Sequence, residues 1–203
     1  MRILVVGGTG TIGAAVVAAL RRLGHDVVTA GHVRGDHRVD LSEPSSIGAL
    51  YAAVGDLDAV VCTAGLARFG ALEALGDDAF ASSLANKLMG QVNLVRMGLE
   101  SVATGGSFTL TSGTLSQRPT TGTAAVSMTG AAVEAFARAA ALDLEGRWRV
   151  NAVSPGWVAE SRLKAGLDPM PGIWADDLAQ YYVGSVTGEA SGVTVEAEVP
   201  LGT

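Results

Sequence analysis

The feature of this sequence that most restricts its fold is a set of evenly spaced glycines near the amino terminus. Gly7, Gly10 and Gly13 lie three residues apart, directly after a short apolar and β-branched segment at residues 3–6. That segment predicts a buried parallel strand, and residues 12–23 show the apolar period of a helix. A glycine loop that joins a strand to a helix in this way is typical of the first unit of a doubly wound α/β sheet.

Strand and helix patterns alternate along the rest of the chain. Apolar and β-branched runs predict further strands at residues 26–30, 58–62, 107–111, 149–153 and 193–199. Helical periodicity predicts helices from Ser42, as the N-cap, to about residue 54, and at residues 77–102, 123–144 and 175–186. The alternation predicts a single-domain Rossmann-type α/β fold over residues 1–203, a doubly wound parallel sheet with helices on both faces. We expect its substrate side to be built from about residues 155–186.

Composition and charge exclude several classes of protein. The chain has 203 residues, of which 48% are hydrophobic, so it can bury a core and is not intrinsically disordered. A net charge of −6 without a basic run speaks against a nucleic acid partner. No apolar run reaches the roughly 18 residues that a membrane span needs, so we expect no membrane association.

The number and spacing of the cysteine and histidine residues do not predict a metal site. The single Cys62 excludes an intrachain disulfide and a cysteine cluster. The three histidines, His25, His32 and His37, share no metal-ligand spacing. We therefore expect no metal, and we expect the protein to be cytoplasmic.

The glycine loop itself predicts a dinucleotide site. Glycine permits the positive φ of a tight turn, lets the backbone approach a pyrophosphate and lets the helix pack closely on its strand. Free N–H groups and the positive end of the helix dipole then face the phosphates. The alternative is a tight turn that binds nothing. The residues expected to contact the cofactor here are Gly7, Thr9, Gly10, Thr11, Ile12 and Gly13.

The residues that follow the second predicted strand bear on the choice of cofactor. An acid at this point would bind a ribose 2′-hydroxyl and repel a 2′-phosphate. The chain reads Thr-Ala-Gly-His-Val-Arg over residues 29–34, without an acid. His32 and Arg34 are candidates for binding the phosphate, the alternative being ordinary solvated loop residues. We therefore predict NADP(H) as cofactor in preference to NAD(H).

These segments together resemble the short-chain dehydrogenase/reductase family, over nearly the whole chain. Residues 7–13 resemble its glycine loop in the spacing of the extended and atypical branches, and Asp40-Leu41 resembles its adenine-contacting pair. Cys-Thr-Ala-Gly at residues 62–65 is similar to the family's Asn-Asn-Ala-Gly turn, without both asparagines. Residues 149–156 closely resemble the segment that flanks the nicotinamide. The resemblance implies further cofactor contacts at Asp40, Leu41, Ala64, Gly65, Pro155 and Gly156.

The catalytic residues that the resemblance implies are largely missing. In the family a tyrosine transfers the proton, and a lysine four residues later lowers its pKa. Val126 stands at the tyrosine position and Gly130 at the lysine position, and neither can perform acid–base chemistry. Ser112 lies fourteen residues before Val126, whereas the family's serine lies thirteen before its tyrosine. Either the loop is one residue longer here, or Gly113 occupies the serine position.

Three residues remain as catalytic candidates, Ser112, Lys87 and Asn86. Counting back from Gly90 puts Lys87 at the family's asparagine position, with Asn86 one residue away. Lys87 would reach into the space that Gly130 leaves empty and, in apolar surroundings, would have a lowered pKa and act as an acid. Alternatively it is a solvated helix lysine. Ser112 follows its strand at the carboxyl end, where ligands bind in such sheets. The alternative is that it is a simple hydroxyl at the end of a strand, without a catalytic role.

The sequence therefore leaves two functions to compare. The first is an NADP(H)-dependent oxidoreductase that moves hydride between nicotinamide and a small carbonyl or alcohol substrate, with an atypical active site. The second is a non-catalytic dinucleotide-binding protein, either a redox sensor or a partner subunit, which would account for the missing residues. In both cases the helices at residues 77–102 and 123–144 resemble the pair that forms the family's dimer interface. The second of them carries Ala and Val on several faces, so we expect a homodimer or homotetramer.

Overall fold

A computed structural model describes residues 1–198 and contains one parallel sheet. Its strands are β1 (Arg2–Val6), β2 (Asp26–Gly31), β3 (His37–Arg38), β4 (Leu57–Cys62), β5 (Val102–Thr111), β6 (Arg149–Pro155) and β7 (Thr194–Ala197). They lie side by side in the order β3-β2-β1-β4-β5-β6-β7. The order runs outward in both directions from β1, which makes the sheet doubly wound and confirms the predicted fold class.

Helices cover both faces of the sheet. They are α1 (Thr11–Arg22), α2 (Pro44–Val54), α3 (Asp77–Ser83), α4 (Gly90–Gly98), α5 (Ala124–Asp143), α6 (Ala159–Lys164) and α7 (Ala175–Thr187). One apolar core lies between the sheet and α2, α4 and α5, and contains Phe108 and Leu94. The other lies between the sheet and α1 and α7, and contains Val16 and Tyr182. Within residues 1–198, no helix is long and apolar enough to cross a membrane.

The helix predicted at residues 77–102 is shorter than expected and is interrupted. A π-helical segment, Leu84–Met89, joins α3 to α4, and the helix ends at Gly98. Val102 continues the helical spacing in the sequence, but it begins β5 and pairs with Leu57. The prediction was wrong here because apolar spacing cannot show that a strand starts only a few residues after the helix.

Smaller differences concern elements that sequence periodicity cannot detect. Glu43, not Ser42, is the N-cap of α2, since the helix begins at Pro44, and the Ser42 hydroxyl accepts a hydrogen bond from Asn86. The strand β3 and the helix α6 are too short to carry a period. The last strand is seen at Thr194–Ala197, and residue 199 of its predicted range lies outside the described residues.

Candidate active site and cofactor cleft

The glycine loop has the close approaches that its sequence predicts. Gly7 has a φ of +86°, and its N–H donates to the Ala30 carbonyl at 2.7 Å. A Cβ on Gly13 would lie 2.1 Å from the Gly7 carbonyl oxygen, so α1 packs on β1 only because Gly13 has no side chain. Gly10 is the N-cap of α1 and provides no side-chain cap, and the first turn carries no acid. The first N–H groups of α1 are therefore available to an anion.

Thr63 supports this loop from the end of β4. Its hydroxyl donates to the Val6 carbonyl at 3.1 Å. The hydroxyl oxygen also lies 2.7 Å from where a Gly13 Cβ would be. Thr63 was missed in the sequence analysis, where it appeared only as the replacement of a family asparagine, and its distance in sequence from the loop leaves no local signal.

A cavity of about 260 Å³ opens at the carboxyl ends of β1, β2 and β4. Five of the predicted cofactor contacts line it, together with Asn86. These five are His32, Asp40, Leu41, Ala64 and Gly65. Arg34 is exposed and is not among the lining residues. The His32 ring and the Asp40 carboxylate lie 3.8 Å apart at the edge of this cavity, which we call the β2-side cavity.

An acid, Asp36, does lie close to the second strand, but it is not among the lining residues of this cavity. The Asp36 carboxylate accepts hydrogen bonds from the backbone N–H of Thr29 at 2.9 Å and from its hydroxyl at 2.8 Å. These two bonds lower the pKa of Asp36 below its usual value. Asp36 thus closes the edge of β2 and is not a lining residue of the β2-side cavity.

A second cavity, of about 290 Å³, lies at the carboxyl ends of β4, β5 and β6, and Gly65 borders both cavities. Two catalytic candidates, Lys87 and Ser112, line this β5-side cavity together. Pro155 and Gly156 line it as well. Other lining residues are mostly apolar and include Ile12, Phe69, Leu115, Val126, Trp157 and Val158.

Asn86 does not line the β5-side cavity with Lys87 and Ser112. Its side-chain oxygen accepts from the Leu66 N–H at 2.8 Å, and its side-chain nitrogen donates to the Ser42 hydroxyl at 3.0 Å. It lines the β2-side cavity and not the cavity that holds Lys87 and Ser112. The structure therefore separates two adjacent residues of the π-helical segment into different cavities.

The Lys87 side chain lies beside Gly65 and not, as predicted, beside Gly130. A Cβ on Gly65 would lie 2.7 Å from the Lys87 Cδ, so the lysine stem runs along the bare backbone of Gly65. The space beside Gly130 is taken by the Cβ of Ser116 instead, 3.3 Å from where a Gly130 Cβ would be. Burial lowers the pKa of Lys87, and the neighbouring Cys62 thiol opposes that shift. The lysine is thus placed to give up a proton more readily than a solvated lysine.

Gln91 connects the two halves of this site and was missed in the sequence analysis. It is fully buried, and its side-chain nitrogen donates to the carbonyls of Lys87 at 2.9 Å and Thr111 at 3.0 Å. Its side-chain oxygen accepts from the Thr111 N–H at 2.8 Å. A polar residue four positions after Lys87 on a helix that faces the sheet was the available signal. Gln91 holds the backbone next to Ser112 against the helix that carries Lys87.

Ser112 lies directly beyond β5 and is buried, with its N–H donating to the Val153 carbonyl at 2.9 Å.

Tyr182 does not substitute for the family's tyrosine, because its ring is fully buried in the core and its hydroxyl pairs with that of Thr111 at 2.8 Å. Burial raises the pKa of Tyr182 well above its usual value.

A family model described as enoyl-(acyl carrier protein) reductase matches residues 8–187 of the chain. The chain belongs to the short-chain dehydrogenase/reductase family. The matched range contains most of the segments that resemble this family, from Gly8 of the glycine loop to Pro155-Gly156.

Solved structures agree with this assignment. The protein lin1944 from Listeria innocua is 36% identical, with a TM-score of 0.92 over 97% of this chain and 99% of that one. A small-chain dehydrogenase is 27% identical, with a TM-score of 0.84 over 97% and 95% of the two chains. Another, solved in complex with NADPH, is 26% identical, with a TM-score of 0.85 over 97% and 96%. No protein of curated function matches the sequence significantly.

Proposed function

We propose that this short-chain dehydrogenase/reductase is an NADP(H)-dependent oxidoreductase in which Lys87 transfers the proton. Hydride would move between the nicotinamide and a small carbonyl or alcohol substrate. The observation that carries the proposal is that the Lys87 and Ser112 side chains line one cavity with Pro155 and Gly156. This cavity provides both a proton donor and a hydroxyl where the family's tyrosine is replaced by Val126.

The residues present fit a dinucleotide. Gly7 and Gly13 make a cradle that any Cβ would fill, and the N-terminus of α1 above it has no cap and no acid. The β2-side cavity, lined by Asp40 and Leu41, would hold the adenosine half. The nicotinamide half would reach Pro155 and Gly156. The relative that was solved with NADPH supports the assignment of a nicotinamide dinucleotide.

The preference for NADP(H) rests on the residues around the end of β2. Asp36 accepts two hydrogen bonds from Thr29 and does not line the β2-side cavity, so Asp40 is the carboxylate among the lining residues there. His32 lines the cavity there, and the exposed Arg34 follows two residues later. A 2′-phosphate at this point would meet two side chains that can be positively charged, His32 and Arg34, and the Asp40 carboxylate lies 3.8 Å from the His32 ring.

The mechanism assigns one task to each side chain. When bound, the reduced cofactor supplies the hydride to the substrate carbon. The Ser112 hydroxyl donates a hydrogen bond to the substrate carbonyl oxygen and so orients it. The Lys87 ammonium gives a proton to this oxygen as negative charge develops there, becomes a neutral amine and recovers a proton from water. Oxidation of an alcohol runs through the same groups in reverse.

Apolar lining residues of the β5-side cavity define the substrate in general terms. Val126 and Leu115 line it beside Phe69 and Trp157, and Lys87 is the one cation among its described lining residues. Four hydroxyl-bearing residues besides Ser112, namely Thr63, Thr111, Thr114 and Ser161, complete the wall, and such a mixed lining suits a small carbonyl compound. Asn86, placed in the other cavity, is assigned a structural role that joins α2 to the π-helical segment.

The second candidate function is binding of the dinucleotide without turnover, as a redox sensor or partner subunit. Replacement of the tyrosine and lysine positions by Val126 and Gly130 favours it. Steady oxidation of NADPH with a panel of aldehydes and ketones would support the enzyme, whereas tight binding without turnover would support the sensor.

Substitution of Lys87 is the decisive experiment for the enzyme. Lys87→Met keeps the length of the stem and removes the proton, so turnover should fall at least about 100-fold, the lower range of general acid catalysis. Affinity for NADPH, measured by calorimetry, should change much less. Ser112→Ala should cost less than Lys87→Met, because the hydroxyl orients and does not transfer. Full turnover by Lys87→Met would refute the assignment.

We also propose a domain organisation, a cellular location and an oligomeric state for this protein. We place the whole of residues 1–203 in one dinucleotide-binding domain, and the contribution of residues 155–161 to the β5-side cavity supports a substrate side within residues 155–186. A cytoplasmic location is proposed because the one cysteine, Cys62, is buried and free. We also propose a homodimer or homotetramer.

A further inference from the structure

A basic side chain outside the predicted site contacts the glycine loop. The Nζ of Lys164 donates to the Thr11 hydroxyl at 2.7 Å, although the two residues lie 153 positions apart in the sequence. Thr11 is the first residue of α1, and Lys164 is the last residue of α6. The contact therefore brings an ammonium group to the helix N-terminus where a dinucleotide's phosphates bind.

The two ends of the segment that carries Lys164 are hydrogen-bonded to each other. Val158 and Ile173 form an isolated bridge, with the Ala159 N–H donating to the Ile173 carbonyl at 2.9 Å and the Ile173 N–H donating to the Trp157 carbonyl at 2.8 Å. Between these two ends, residues 163–168 are all exposed. The 158–173 loop is thus firmly anchored at its base and lightly packed at its tip, where Lys164 reaches α1.

Charges around the contact favour an anion. The first turn of α1 has no acidic residue and no side-chain cap. Among residues 1–198, Lys164 forms no ion pair with a carboxylate. The other cation of α6, Arg162, donates from its Nε to the Asp168 carbonyl at 2.7 Å and so stays within the loop. Lys164 is thus the cation of α6 that lies at the N-terminus of α1, the positive end of the dipole of that helix.

We propose that Lys164 is a cofactor-binding residue that contacts the pyrophosphate and holds the 158–173 loop over the cleft. Without an anion its ammonium rests on Thr11, and with one it shares the phosphate oxygens with the N–H groups of α1. Cofactor binding would then order the loop that begins next to Trp157 of the β5-side cavity. This inference rests on the proposed function, because it needs a dinucleotide in the cleft.

Calorimetric titration with NADPH tests the proposal. Lys164→Met retains the stem and should weaken binding at least about ten-fold, the range expected for loss of one charge-assisted contact. Lys164→Arg should restore most of the affinity. Arg22→Met removes the same charge at the opposite end of α1 and should change affinity less than about two-fold. Inorganic pyrophosphate should compete with NADPH more weakly for Lys164→Met than for the wild type.

Limited proteolysis is the second readout. Chymotrypsin can cut after the exposed Leu163 and Leu167, and NADPH should protect these sites in the wild type but not in Lys164→Met. If Lys164→Met binds NADPH as the wild type does, with equal protection of the loop, the role of Lys164 is refuted while the proposed function stands. An equal loss of NADPH affinity in Arg22→Met would also refute the role of Lys164. A wild type that does not bind NADPH would overturn both proposals.

Discussion

Gly65 and Lys87 are matched in shape, because the lysine stem passes where a side chain on Gly65 would stand. A Cβ there would be 2.7 Å from the Lys87 Cδ and 3.6 Å from its Nζ. Gly65 also has a φ of +139°, which L side chains rarely adopt. The Ala-Gly turn that resembles a cofactor-binding turn thus also makes room for the proposed proton donor.

Gly65→Ala should displace Lys87 and lower turnover by up to about 10²-fold, the effect of a small misplacement of a reacting group. Gly24→Ala is the matched control, because Gly24 has a φ of +80° and nothing within 4 Å of its Cβ position. Both variants should lose about 1 kcal/mol or more of unfolding free energy from backbone strain, measured in urea. Equal turnover in the two variants would contradict the role of Gly65.

The lowered pKa of Lys87 predicts how the rate depends on pH. Reduction needs the protonated amine, so kcat/KM for carbonyl reduction should fall as pH rises through a value below the roughly 10.4 of a solvated lysine. The fall should be absent in Lys87→Met and present, at a lower rate, in Ser112→Ala. A decline that persists unchanged in Lys87→Met would assign the titration to another group.

Stability should change with pH for the same reason. The pKa of Lys87 is lower in the folded than in the unfolded protein, so the unfolded chain binds more protons between these two values. Unfolding free energy should therefore rise with pH across that window, up to about pH 10.4. Urea titrations over this range should show a smaller rise for Lys87→Met. An identical slope in both proteins would contradict the burial of a titrating lysine.

Gly13→Val should abolish NADPH binding while leaving α1 helical. The added side chain would collide with the Gly7 carbonyl, which a Cβ on Gly13 already approaches to 2.1 Å. Gly184→Val, on α7 with nothing within 4 Å of its Cβ position, is the control for placing valine in a helix. Calorimetry and circular dichroism check the two claims, and unchanged affinity in Gly13→Val would mean that the loop binds no pyrophosphate.

Arg34→Ala should remove much of the preference for NADPH over NADH. One phosphate–arginine contact is worth about 1.5–3 kcal/mol, so the affinity for NADPH should fall by ten-fold or more while that for NADH stays constant. Arg38→Ala removes an exposed arginine from β3, beside the same loop, and serves as control. Equal binding of the two cofactors by the wild type would refute the preference.

An exposed apolar stripe on α5 predicts self-association. It consists of Met128, Ala131, Ala135, Ala139 and Leu142, all exposed and three or four residues apart. Ala135→Glu at its centre should convert a homodimer or homotetramer into a smaller species by light scattering. Ala53→Glu, at an exposed position of α2, should not. A wild type that is monomeric at micromolar concentration would contradict the prediction.

Sequence periodicity alone determined most of the fold. Strand and helix patterns placed six of the seven strands and the long helix α5, because apolar period reflects which face of an element is buried. The spacing of Gly7, Gly10 and Gly13 determined the tight loop, because only glycine allows that backbone approach. These are local properties, and residues close in sequence suffice to specify them.

Tertiary structure alone decided which candidate side chains share a cavity. Asn86 and Lys87 are neighbours in a π-helical segment, and successive residues of a helix point in different directions, so a one-residue ambiguity in alignment exchanges the two cavities. Asp36 turns back to Thr29, Gln91 joins Lys87 to Thr111, and Lys164 reaches Thr11 from the opposite end of the chain. The contacts of Gln91 with Thr111 and of Lys164 with Thr11 depend on how distant elements pack, and the contact of Asp36 with Thr29 depends on the course of one loop, neither of which periodicity in the sequence records.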